Sequence, residues 1–215
     1  MVSYNSKGEL EDLKQNLNTN QILPRKFYER HAEVVANDLL GKFLVRSLGN
    51  DLLIGKIVET ESYHGTRDPA SRAYKGKKTK ISKYMWNKPG TIFVYVVHNN
   101  WMLNLITGKE GQASAVLIRA LEPVQGIAKM FELRTSSNQK IKNLKQLCSG
   151  PGKLTKAFGI SKILQEKDAT QQSEIYILDA NDKFSIKKAH RIGVSRDTKR
   201  RQRFYISKNN FVSQK

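Results

Sequence analysis

The stretches KFLVRSL (42–48) and LLIGKIVETES (52–62) stand on either side of Gly49-Asn50-Asp51. Aliphatic and β-branched residues that meet at a Gly-Asn turn predict an antiparallel hairpin. This feature constrains the chain most, because a hairpin this apolar must be covered by further strands and helices. TIFVYVV (91–97) follows a Lys88-Pro89-Gly90 turn, and ASAVLIRALEP (113–123) reads as a second buried strand ended by Pro123. SEIYILDA (173–180) and RFYISKNNFVS (203–213) return to short strands. Ahead of them all KFYERHAEVVANDLLG (26–41) has Val34, Val35, Leu39 and Leu40 at helical spacing and Gly41 as a stop, which predicts one helix. GIAKMFELR (126–134) is a short amphipathic helix, and SGPGKLTKAFGI (149–160) places a Gly-Pro-Gly turn before another. The expectation is an α+β fold, a single compact domain whose mainly antiparallel, curved sheet is flanked by short helices.

No repeat or linker composition divides the chain, and 215 residues suit one domain. Residues 1–22 are polar with scattered aliphatics and read as a flexible arm, leaving 23–215 as the domain. His64 to Lys88, rich in Gly, Pro, Ser, Lys and Arg, reads as a long basic loop, and SSNQKIKNLKQ (136–146) as a surface excursion.

Lys and Arg number 38 against 19 Asp and Glu, a formal charge of +19. Such an excess suits a polyanion, nucleic acid before a membrane surface, since clustered cations displace condensed counterions from phosphates. The plainer reading is that many lysines only decorate exposed faces. With Cys148 alone, no internal disulfide or thiolate cage forms, and His31, His64, His98 and His190 offer no close ligand pair. Neither metal nor nucleotide cofactor is expected. No apolar run reaches membrane-spanning length and the N-terminus is too polar for a signal-peptide core, so the chain is expected not to be secreted.

The chemistry-bearing residues gather near strand ends. Alternation puts Glu59 and Glu61 on one face with Ile57, and Tyr63 continues it. A carboxylate at a strand end beside a long loop suits a general base, although an arbitrary E-x-E is also at home on a solvated edge. Arg119, inside AVLIRAL, needs Glu61 or Glu59 opposite it if its strand is buried, and otherwise snorkels to water. Asn104 is compatible with a plain turn. Tyr95, His98 and Trp101 are aromatic groups that either stack on bases or join the core. Lys153 and the amides of SGPGK could hold a phosphate.

LLGKFLVR, IVETESYHG, KPGTIFVYVV, LIRALEP, CSGPGKL and RIGV…RFYI occur in this order between about Leu23 and Ser213. In that order they resemble the alkyladenine (3-methyladenine) DNA glycosylases. The resemblance implies an enzyme that binds duplex DNA as a monomer, flips out an alkylated or deaminated purine and hydrolyses its N-glycosidic bond without a cofactor. It would act in the cytoplasm at the nucleoid of a prokaryote or in the nucleus of a eukaryote. By the same resemblance Glu61 is the general base, Arg119 helps it hold the attacking water, and the Ile192 carbonyl also contacts that water. Tyr63 and Tyr95 wall the base pocket and Asn104 lies on its floor. Three positions depart from the pattern: Arg72 in SRAY replaces a histidine, His98 stands where a tyrosine intercalates, and TKIS from Thr79 replaces a TPRN-like backbone-contact loop. Those departures leave a second expectation, a nucleic-acid-binding member of the fold with little or no catalysis.

Overall fold

The computed structural model describes residues 21–135 and 141–214, and the expected hairpin is its centre. β1 (Phe43–Leu48) and β2 (Asp51–Tyr63) pair antiparallel from Leu48↔Asp51 to Phe43↔Lys56. Gly49, at φ +59°, supplies the left-handed residue that this tight turn requires. β2 is thirteen residues long and outruns β1. β5 (Ser114–Gln125) covers one edge, while on the other Glu59–Glu61 are paired by β8 (Arg203–Ile206). With β3 (Ile92–Val97), β4 (Asn100–Thr107) and β6 (Ile175–Leu178) the order is β3-β4-β5-β2-β1-β6. β7 (Ile186–Ala189) pairs β8, and every pairing is antiparallel. The α+β class stands.

The single helix expected over 26–41 is two: α1 (Arg25–Tyr28) and α2 (Ala32–Asp38). Tertiary bonding breaks it, since the carbonyls of Tyr28 and Arg30 both accept from Gly108 N–H and Arg30 Nε turns back to the Phe27 carbonyl. α2 then lays Val35, Ala36 and Leu39 on the sheet, where a fully buried Val or Leu contributes about 1.5–3 kcal/mol. α3 (Ile127–Thr135), α4 (Lys145–Cys148) and α5 (Pro151–Ala157) close the same core. α5 follows Gly150 as expected but begins earlier than the turn reading put it, with Pro151 and Gly152 in its first turn. Pro123 does not end β5. It sits where the β2–β5 register shifts and beyond the last residue that β4 covers, the kinds of place a sheet tolerates proline.

One irregularity decides what faces where. Between Ile57↔Leu121 and Glu59↔Ala120 β2 carries an extra residue, Val58; one step on, β5 carries an extra residue, Arg119. A one-residue slip exchanges the faces of a strand. Ile57 and Val58 therefore both enter the main core, and Ile57 does not share a face with Glu59 as strict alternation predicts. Glu59, Glu61 and Tyr63 point away from the helices, whereas Thr60 donates to the Ala36 carbonyl of α2 at 2.7 Å.

The segment 64–88 is less loop-like than expected. It carries three short 3-10 turns and buries Ala73 and Met85 in a satellite core with Phe93, Ile106 and Ala115. Of the arm expected over 1–22, residues 1–20 lie outside the described residues, while Ile22 bridges Leu178 of β6. The excursion expected at 136–146 falls partly on 136–140, also outside them. Among the described residues no helix is long and apolar enough to cross a membrane.

The exit of β2 depends on Gly65, whose φ is +67° and where an added Cβ would stand 2.2 Å from the Ala113 carbonyl oxygen. Gly65→Ala is expected to destabilise the protein by more than about 1 kcal/mol, read as a lower urea midpoint; an unchanged midpoint would show that this turn yields freely.

Candidate active site

The flipped face of β2 forms a continuous row across the sheet. Glu61 lies opposite Leu117 of β5, Leu117 opposite Asn104 of β4, and Asn104 opposite Phe93 of β3. Glu59 and Glu61 are both fully buried, so the solvated-edge alternative does not hold, and both are met by Arg119. Arg119 Nε reaches Glu59 Oε1 at 3.2 Å and Nη1 reaches Glu61 Oε1 at 3.1 Å. The bulge at Arg119 permits this double reach.

The two carboxylates differ in how much acceptor capacity is already used. Glu59 accepts from Arg119 Nε, from Arg203 Nη1 at 2.9 Å, and from Ser213 Oγ and N–H at 2.9 and 2.7 Å. Three of these four donors fall on Oε1 and one, the Ser213 N–H, on Oε2. Glu61 has three partners among the described residues: Arg119 and the Ile192 N–H (2.8 Å) on Oε1, and the Tyr63 hydroxyl (2.8 Å) on Oε2. One acceptor direction on Oε2 remains. Burial pushes the Glu61 carboxyl above the usual carboxylate range, against the opposing pull of Arg119, the Ile192 amide and the Tyr63 hydroxyl. Glu59 is tied by four donors to Arg119, Arg203 and Ser213, whereas Glu61 is held by three, with the Tyr63 hydroxyl alone on Oε2. Ile192 reaches Glu61 through its N–H, a contact the sequence reading did not anticipate.

Tyr63 and Tyr95 both stand beside Glu61. Burial raises the phenol of Tyr63 well above its ordinary value, with the charge of Glu61 adding to it, so Tyr63 stays a donor. Tyr95 is also raised, by burial, against the opposing charge of Arg72. Its ring stacks on Phe93 at 5.1 Å between centroids, and the Arg72 guanidinium lies 4.9 Å from its centroid. Asn104 is buried in β4 and is not a turn residue; its amide donates to the carbonyls of Phe93 and Met102 at 3.2 and 3.3 Å. Trp101 packs against the main core.

Other expected residues lie outside this cluster. His98 is exposed at the β3–β4 turn, where His98 and Asn99 take φ of +45° and +59°. This hairpin has no glycine at its tip, which hid it in the sequence. Lys153 is exposed on α5 and shares a surface groove with Asn100, just past that tip. Thr79 spends its hydroxyl on a turn with Ser82, accepting from the Ser82 and Ile81 amides. None of these three has a contact with Glu61.

The sequence reading missed Arg203, Ser213 and Arg191. The Arg191 side chain is fully buried; it forks onto Asp68 at 2.6 and 2.8 Å, bonds Asp197 at 2.7 Å and the Ser62 carbonyl at 3.0 Å, and lies 4.6 Å from the Tyr63 ring centroid. It fastens the segment carrying Ile192 to the end of β2. The two segments it joins bring exposed cations to the rim: Lys75, Lys77, Lys78, Lys80 and Lys83 on one, and Arg196, Lys199, Arg200 and Arg201 on the other. Among the described residues no group of three or more His, Cys, Asp or Glu is placed to hold a metal ion.

Comparison with known proteins gives the same outline. Residues 26–210 match the family model described as methylpurine-DNA glycosylase. A Clostridium tetani protein named as a candidate 3-methyladenine DNA glycosylase is 43% identical over 202 residues, covering 90% of this chain and 99% of that protein. A protein of the same name from Carboxydothermus hydrogenoformans is 42% identical over 197 residues, covering 90% of this chain and all of its own.

The Arg191 hub predicts a stability effect. Burial works to raise the Asp68 carboxyl, but hydrogen bonds from Arg191 and from the His64 and Ala70 amides outweigh it and hold the group below the usual range. Its stabilising contribution is therefore present above the unfolded-state pKa and lost as pH falls through the depressed folded value. Arg191→Met is expected to lose about 3–5 kcal/mol at neutral pH, because Asp68 is left buried and unpaired. In urea titrations the deficit should narrow in acid and shrink in Arg191→Met/Asp68→Asn; an equal deficit in single and double variants would remove the pairing from the explanation.

Proposed function

The chain belongs to the methylpurine-DNA glycosylase family, a family of DNA N-glycosylases that hydrolyse N-glycosyl bonds in DNA repair, and we propose that it releases alkylated or deaminated purines by a Glu61-activated water. The purines are of the 3-methyladenine, 7-methylguanine and hypoxanthine class, and the substrate is duplex DNA. The observation that carries this reading is the remaining acceptor direction on Oε2 of the fully buried Glu61, beside the Tyr63 and Tyr95 rings.

The proposed steps give each group one role. Exposed cations on both rim segments draw in the phosphate backbone. The His98 hairpin tip enters the stack where the nucleotide leaves, Lys153 and the Thr79 turn contact backbone nearby, and the flipped purine lies between Tyr63 and Tyr95 over Asn104. Glu61 takes a proton from water as the oxygen bonds to C1′, and the electron pair of the C1′–N bond departs with the base. Arg119 holds Glu61 on one side and the Ile192 segment on the other, so the carboxylate cannot turn away from C1′. The product is an abasic site. Residues 23–215 carry this activity; one chain supplies every group, so the enzyme acts as a monomer wherever the cell keeps its DNA. Arg72 over the Tyr95 ring favours a second reading, a nucleic-acid-binding protein of this fold without efficient catalysis.

Glu61→Gln separates the two. Purified protein is incubated with duplexes bearing one hypoxanthine or one 7-methylguanine, and alkali-labile sites are counted. The substitution is expected to abolish release, by at least about a hundredfold as for loss of a general base, with duplex affinity nearly unchanged. Release that survives in Glu61→Gln would remove Glu61 from its role, and no release by the unaltered chain would favour the binding protein.

The pH profile gives a second test. Only the carboxylate of Glu61 accepts a proton, so activity falls as pH drops through its folded pKa, and the raised value places that acid limb above the range of an exposed glutamate. Tyr63→Phe removes a hydrogen bond that favours the charged form. The limb of kcat is expected to move to higher pH; an unmoved limb would mean that another group sets it.

A further inference from the structure

Among the described residues Arg72 is the one cation against a pocket tyrosine with no carboxylate paired to it. Glu59 and Glu61 are met by Arg119 and Arg203, and Asp68 and Asp197 by Arg191. Among the described residues no carboxylate pairs with Arg72, and its guanidinium rests against the Tyr95 ring. The backbone at this point is well fixed. Ser71 and Ala73 are buried on either side, the Ala73 amide bonds Ser71 Oγ at 3.1 Å, and Ala73 packs in the same satellite core as Phe93. The side chain itself is exposed, so it is free to change partner when a base arrives.

We infer that Arg72 makes this pocket selective for neutral, oxygen-bearing purines of the hypoxanthine type over cationic N-alkylpurines of the 7-methylguanine type, an assignment that rests on the glycosylase reading above. A purine that takes the Tyr95 face displaces the guanidinium to the purine edge. Hypoxanthine offers adjacent O6 and N7 acceptors there, a spacing that the planar fork of arginine fits with two hydrogen bonds. Methylation at N7 removes one acceptor and gives the ring a positive charge, so 7-methylguanine loses the fork and is repelled.

The bond-breaking step sharpens the distinction. As the water oxygen bonds to C1′ and its proton passes to Glu61, the electron pair of the C1′–N9 bond moves into the purine. A neutral purine accumulates negative charge, which a guanidinium on O6 and N7 stabilises until the base takes a proton from solvent. A cationic purine leaves neutral and gains nothing from that contact.

The test compares kcat/KM on matched duplexes containing one hypoxanthine or one 7-methylguanine, for the unaltered chain, Arg72→Gln and Arg72→Lys. Arg72→Gln is expected to lower the hypoxanthine to 7-methylguanine ratio by about tenfold or more, the scale of one bidentate contact, through slower hypoxanthine and faster 7-methylguanine release. Arg72→Lys keeps the charge without the fork, so hypoxanthine release should fall while 7-methylguanine release stays low. A ratio in Arg72→Gln within about twofold of the unaltered chain, well short of the loss of a bidentate contact, overturns the assignment of Arg72 while leaving the glycosylase reading intact. Release of neither base by the unaltered chain overturns both. Arg72 is exposed and touches the core only through the outer face of the Tyr95 ring, so closely similar urea midpoints are expected for the three proteins.

Discussion

Two glutamates buried two residues apart on one strand are a liability that the rest of the fold must answer. An isolated buried carboxylate is strongly disfavoured, and two side by side more so. The answer comes from three directions: Arg119 from β5, Arg203 from β8, and the N–H groups of Ser213 and Ile192 from segments on either side of β8. None of these groups lies within forty residues of Glu61 in sequence. The acids therefore act as a template, and the C-terminal quarter of the chain closes on the sheet because the carboxylates there need donors.

The quartet of Glu59, Glu61, Arg119 and Arg203 is neutral in sum, yet its bonds are unequally shared. Ser213 gives Glu59 two donors that Glu61 lacks, so Glu59 is the more fully tied of the two. Proximity of two like carboxylates then becomes useful. Glu59 adds to the upward pull that burial exerts on Glu61 while itself being held by four donors. The division of roles between identical side chains two residues apart is made by their neighbours.

Much of this framework was legible in the sequence. The β1–β2 hairpin, the buried β3 and β5, and the short helix after Gly-Pro-Gly were each announced by local turn chemistry or apolar runs. What local patterning could not show was decided by distant partners. Gly108 splits the first helix by claiming two of its carbonyls, and the extra residues Val58 and Arg119 reverse the face of β2 without any glycine to mark them. Strict alternation grouped Glu59 and Glu61 correctly because both lie beyond the bulge, and misplaced Ile57 because it lies before it. Arg191 and Ser213 escaped notice because an arginine or a serine in a polar stretch has no periodicity to betray that it is buried or bonded.

The bulge also explains why a site can sit on a sheet whose other face is a packed core. Without Val58 in excess, Glu59 and Glu61 would turn toward α2, and an ion pair there would compete with Val35, Ala36 and Leu39 for the same space. With it, the apolar and charged sets occupy opposite faces of one strand, and each satisfies its own requirement. Thr60 marks the boundary: it lies between the two acids in sequence, yet its hydroxyl bonds α2 while their carboxylates bond Arg119. The separation keeps pocket-side groups such as Arg72, over the Tyr95 ring, apart from the packing that holds Glu61 in place.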